Sequence, residues 1–153
     1  MTEPTPTIAP TVMPGVLYHD APAAIDWLCE AFGFVPRLVI PGEPGRIAHA
    51  HLVLGNGGIM LASAEDYPMP DLCQSPKDLA GPGTVEIIVV VPDPDAHHAR
   101  AVAHGATIVV APEDKPYGGR GYACRDIEGH VWAFGSYDPW AADTNEAPAA
   151  ASQ

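Results

Sequence analysis

DAPAAIDWL (20–28) and DPDAHHARA (93–101) decide the fold, because one lies on the other at a shift of 73 residues. The same shift carries GNGGIML (55–61) onto EGHVWAF (128–134), with no gap between the two anchors. A strand, an Asp-capped helix and a strand hairpin are therefore expected twice. Two half-size modules that each leave one sheet face uncovered are most simply satisfied by facing each other across a cavity. Function is expected there, between the repeats.

Working outward, GVLYH (15–19) reads as a short strand, and Asp20 caps the next helix with Pro22 in its first turn. Ile25, Leu28, Cys29 and Phe32 recur at helical spacing before the Gly33 stop. FVPRLVI (34–40) is strand-like, with Pro36 arguing for an edge or a bulge. RIAHAHLVLG (46–55) alternates, setting His49 and His51 on one face and Ala50 and Leu52 on the other. Asn56-Gly57 marks a hairpin turn into GIMLAS (58–63). In the second module TVEIIVVV (84–91), ATIVVA (106–111), GYACRD (121–126) and HVWAFGS (130–136) read as strands. Its helix is expected to bury Ala96, Ala99, Val102 and Ala103, leaving His97, His98 and His104 wet. The class is α+β: two βαβββ modules in tandem, with mixed sheets enclosing a cavity. The modules span about 12–63 and 84–140 of one domain (12–140), joined by a Pro- and Gly-bearing linker, 64–83. Residues 1–11 and 141–153 read as flexible arms.

The chain has 153 residues and a formal net charge of −12, with Lys77 and Lys115 its only lysines. Such a surface repels phosphate backbones and anionic lipid, so neither nucleic acid nor membrane is expected as a partner. No apolar run reaches membrane-spanning length and no basic-then-apolar leader opens the chain, so the expected location is cytoplasmic. Cys29, Cys73 and Cys124 lack CxxC spacing and suit free thiols.

Three stretches, YHDAPAAIDWLCEAFGF (18–34), IAHAHLVLGNGGIML (47–61) and YGGRGYACRDIEGHVWAFGSYDPW (117–140), resemble the vicinal oxygen chelate superfamily. That group includes glyoxalase I, extradiol dioxygenases and bleomycin-resistance proteins. The likeness spans roughly residues 13–140 and specifies fold better than function. Enzymes of the superfamily hold a divalent metal with His and Glu from four strands. The resemblance puts those positions at Met13, Met60, Glu86 and Ala133. A thioether is a soft ligand and alanine is none, so no metal and no cofactor are expected.

Glu86 shares a face with Ile88 that is expected to look into the cavity. Desolvation there suits a general base or a ligand anchor, whereas at the strand's start it simply reaches water. His49 and His51 line the same cavity or a solvated face. PYGGRGY (116–122) offers Tyr117, Tyr122 and Arg120 for stacking and clamping, or is a hairpin with Arg120 in a surface ion pair. GGRG is no phosphate loop, since the GKS/T helix opening is missing. Met13, Leu17, Met60 and Ile88 make a soft apolar floor. Cys124 lies on His51 at the 73-residue shift and is expected to face the cavity with it. Trp132 and Phe134 belong to the helix-packed core, while Tyr137 and Trp140 cap the cavity or a dimer interface.

The resemblance implies a metal-independent, bleomycin-resistance-like homodimer that binds a small, partly aromatic or amphipathic molecule between its modules. The alternative is a glyoxalase-like lyase, isomerase or epimerase using Glu86 and His51, or a metal at unusual positions.

Overall fold

The computed structural model describes residues 10–141. The arms expected at 1–11 and 141–153 lie almost wholly outside them. The chain divides into two compact units, Met1–Asp78 and Leu79–Gln153.

The first unit runs β1 (Gly15–Tyr18), α1 (Ala21–Phe32), β2 (Val35–Pro41), β3 (Ile47–Leu54) and β4 (Gly57–Ser63). Its sheet order is β1-β4-β3-β2, with β1 parallel to β4 and the other pairs antiparallel. The second runs β5 (Glu86–Val90), α2 (Pro94–Ala103), β6 (Thr107–Asp114), β7 (Arg120–Arg125) and β8 (Val131–Gly135), in the equivalent order β5-β8-β7-β6. The fold is therefore α+β, a tandem of two βαβββ modules.

Each helix starts where the sequence places it. Asp20 Oδ1 accepts from the Ala23 N–H and Asp93 Oδ1 from the Ala96 N–H, both at 3.1 Å. Gly33 ends α1 in the left-handed region at φ 90°. The α1 stripe of Ile25, Leu28 and Phe32 is buried against the sheet, each large side chain contributing about 1.5–3 kcal/mol.

The second helix departs from expectation. Ala96, Ala99, Val102 and Ala103 are exposed, and the buried face carries Pro94 and Ala101 with His97 and His98 half-buried between them. His97 stacks on Phe134 with ring centroids 4.1 Å apart, and its Nδ1 lies 2.6 Å from the Tyr122 hydroxyl. Four small residues at helical spacing bury little area. An imidazole packed at a tilt of 31° against an aromatic ring buries more and still keeps its hydrogen bond.

The repeat is also not free of gaps. A shift of 73 holds for β1 onto β5, the helix caps, and β4 onto β8. Between them β2 onto β6 and β3 onto β7 follow a shift of 72, down to matching bulges at Pro36/Leu38 and Ile108/Val110. The second helix loses one residue before its glycine, Gly105 answering Gly33. The second hairpin regains it. The first hairpin turns on Gly55-Asn56, one residue before the expected Asn56-Gly57, and Leu54 pairs Gly57. The second uses a three-residue loop closed by the Asp126 N–H donating to His130 O, with Gly129 at φ 97°.

One residue of slip exchanges the two faces of a strand. Ala123, not Cys124, therefore answers His51, and Cys124 answers the buried Leu52. Cys124 is fully buried on the helix side, paired with Trp132, which corrects its expected place in the cavity. Tyr122 shares that parity, and its ring points to α2 rather than to the open face.

Candidate functional site

In each unit the sheet face opposite the helix is open, and each open face carries a concavity. The first holds about 260 Å³ and is bounded by Leu17, Ala48, His49, Met60 and Ala62, with Asp66, Tyr67, Pro68 and Cys73 closing one side. Its parity follows from register, since Gly15 pairs Met60 and Leu17 pairs Ala62. The closing segment belongs to the stretch read as a linker. Arg46 pins it, with Nε 2.9 Å from Glu65 and Nη1 3.1 Å from Asp66. The Ile47 N–H donates to the buried Ser63 hydroxyl at 2.8 Å, and His19 Nε2 lies 2.8 Å from Asp78 Oδ2.

Leu17, His49 and Met60 thus border one concavity within the first unit. His51 shares their face, pairing Met60, and its ring lies over Gly58, where an added Cβ would come 3.2 Å from Nε2. It stands outside the concavity, as does Met13, which precedes β1.

The second concavity, about 230 Å³, brings together Glu86, Ile88, Lys115, Tyr117, Arg120 and Tyr137. Glu86 and Ile88 alternate with the helix-facing Ile87, which pairs the buried Trp132. Tyr122 borders this space, although its ring lies on the helix side. Arg120 is spent on ion pairs, with Nε 2.8 Å from Asp95 and Nη1 3.3 Å from Asp114, so it presents no unpaired clamp. Lys115 was missed by sequence reasoning. Its ammonium lies 2.8 Å from Glu113 Oε1, and that hydrogen bond raises its pKa, with a small addition from Glu86. The missed signal was its place one residue before PYGGRGY.

On the helix side, burial pushes the Tyr122 hydroxyl well above its ordinary range and the Cys124 thiol up to about 12. Neither is prepared for nucleophilic work. Asp126 is buried and accepts from Trp132 Nε1 at 3.0 Å and from the Glu128 and His130 N–H groups. It organises the hairpin.

Among the described residues, no group of three or more His, Cys, Asp or Glu is arranged to hold a metal ion. The positions at which the superfamily's enzymes place ligands carry one hard donor, Glu86, beside Met13, Met60 and Ala133. That set does not fit the divalent metal of those enzymes.

The model of the glyoxalase/bleomycin resistance protein/dioxygenase superfamily matches residues 8–134. The chain belongs to that superfamily. An uncharacterized protein of Mycobacterium bovis is 34% identical over 132 residues, 84% of each chain. Among solved structures, TioX from Micromonospora sp. ML1 is 39% identical with a TM-score of 0.63, covering 79% of this chain and 93% of its own. TnmS3, an antibiotic binding protein from Streptomyces sp. CB03234, shares the fold at 22% identity and a TM-score of 0.59, over 86% and 98% of the two chains. No helix of the described glyoxalase-like chain is long and apolar enough to cross a membrane.

Proposed function

We propose that this superfamily member is a metal-independent binding protein for a small, partly aromatic or amphipathic organic molecule, acting as a homodimer. The observation that carries the reading is the pair of open-face concavities. Their walls are largely aliphatic or aromatic, and a few polar groups converge on each, His49 and Asp66 in one and Glu86, Lys115 and Arg120 in the other. Small-molecule sites have that make-up, in which apolar area supplies affinity and a few polar groups fix orientation. TnmS3, which shares the fold, is an antibiotic binding protein. The net charge of −12 steers cationic compounds toward the surface.

The test is a thermal-shift and calorimetric screen of the purified chain against planar amphipathic compounds, with and without EDTA, beside elemental analysis. A ligand at a hundred times its Kd is expected to add about 2.7 kcal/mol of stability, unchanged by the chelator. Stoichiometric divalent metal, lost together with binding on chelation, would overturn the reading.

A further inference from the structure

We propose that the second concavity holds an organic ammonium group in the corner formed by the Tyr117 and Tyr137 rings, with Glu86 as its counter-charge. This rests on the small-molecule-binding reading and narrows its ligand class. The two rings meet edge to face, with planes at 77° and centroids 5.3 Å apart. Both rings and Glu86 border the same space.

The corner is built, not incidental. Gly118 and Gly119 hold φ 116° and 70°, which side chains rarely adopt. A Cβ at Gly119 would come 2.7 Å from the Tyr137 backbone nitrogen. The turn is pinned by the Lys115 N–H to Gly119 O at 2.9 Å, and Arg120 and Ser136 are tied by three hydrogen bonds, one between backbones and two through the Ser136 hydroxyl. The backbone on either side of Tyr117 is thus held in place, and its ring rests against Tyr137.

The charges leave room for a visiting cation. Both basic side chains that border the space are paired, Lys115 to Glu113 with a smaller electrostatic contribution from Glu86, and Arg120 to Asp95 and Asp114. Glu86 is in no ion pair among the described residues. A ring face attracts cations through its quadrupole, and a protonated or methylated amine carries its charge on a surface apolar enough to meet two tyrosines. Ile88, 71% exposed beside Glu86, offers an aliphatic floor for the rest of such a molecule.

The experiment compares benzyltrimethylammonium with neopentylbenzene, its uncharged carbon isostere, on the full chain by calorimetry and NMR shift mapping. The cation is expected to bind about tenfold tighter and to move Tyr117 and Tyr137 resonances. Tyr117→Ala should abolish that preference, Tyr117→Phe should keep it, and Glu86→Gln should reduce it. Equal binding of both compounds, or a preference that survives Tyr117→Ala, overturns the ammonium corner while leaving small-molecule binding intact. Binding of neither compound, with no hit in the wider screen, overturns both. Tyr117 is 47% exposed, so its replacement does not threaten the fold.

Discussion

The two modules share a blueprint but fill it with different chemistry. In the first, α1 and its sheet close over mostly aliphatic side chains with Phe32 and Tyr18, and Leu28, Leu52 and Ile59 are fully buried or nearly so. In the second, the equivalent layer is Tyr122, Trp132 and Phe134, stacked with His97 and tied to Asp126. A backbone plan this tolerant fixes where faces lie, not what covers them. The same holds for the open faces: one concavity is mostly aliphatic under a Pro-bearing cover, the other carries a carboxylate and two tyrosines.

The largest expected effect separates the two cores at one equivalent position. Ile59 and Trp132 match across the repeat, and both are buried. Trp132→Ala should cost about 3–5 kcal/mol, near the top of the range for core truncations. It removes a large ring from between Cys124 and Phe134 and takes a donor from the buried Asp126 carboxylate. Ile59→Ala removes three carbons and no hydrogen bond, so its cost should be the smaller. Urea unfolding followed by far-UV circular dichroism measures both. If Ile59→Ala proves the costlier, the aromatic layer is not what holds the second module.

The sequence made this architecture legible because capping and parity are local properties. Asp20 and Asp93 with their prolines, and the alternation of 46–55, needed no tertiary information. The errors came where the chain adds or drops one residue. A strict 73-residue shift set Cys124 on His51, and only the hairpin's extra loop residue moves it onto Leu52. In α2 the alanine count overrode the repeat. Applied consistently, the shift already laid His97 and His98 on the buried Ala24 and Ile25 of α1. The cover of the first concavity was invisible, because Tyr67 and Cys73 lie in a Pro-bearing stretch without periodicity. The pinning contacts from Arg46 reach across nineteen and twenty residues.

A sharper comparison sets the two β-β turns at the sheet edges side by side. Gly45 and Gly119 both hold positive φ, at 80° and 70°. An added Cβ at Gly45 meets nothing within 4 Å, whereas at Gly119 it meets the Tyr137 backbone and the Ser136 hydroxyl below 3 Å. Gly45→Ala therefore carries conformational strain alone, about 1 kcal/mol. Gly119→Ala adds a clash with backbone, for a total of about 1–3 kcal/mol. It should also move Tyr137 away from Tyr117. Thermal melts give the stabilities, and NOEs between the rings report the corner. Equal losses, with the rings unmoved, would show that the turn yields freely and that the second concavity is not preorganised.

The smallest effect distinguishes Cys124 from its counterpart Leu52. Burial raises the folded thiol to about 12 from a usual value near 9. Between those values the unfolded chain has released a proton that the folded chain keeps. Stability from this thiol is therefore full below about pH 9 and falls as pH rises toward the folded value. Cys124→Ala leaves a small cavity and should lose about 1 kcal/mol at pH 7. It also removes the titration, so its stability should fall less steeply above pH 9, by up to about 1.4 kcal/mol per pH unit. Tyr122, raised by burial first and by the neighbouring Cys124 second, keeps its proton in both folded proteins over this range, so the difference reports the thiol. The deficit of the variant should therefore shrink between pH 8 and pH 10.5 in urea midpoints taken at constant ionic strength. A deficit that stays constant over that range would mean that the thiol reaches solvent without unfolding, and that the helix-side layer of the second module opens where Leu52 keeps the first one shut.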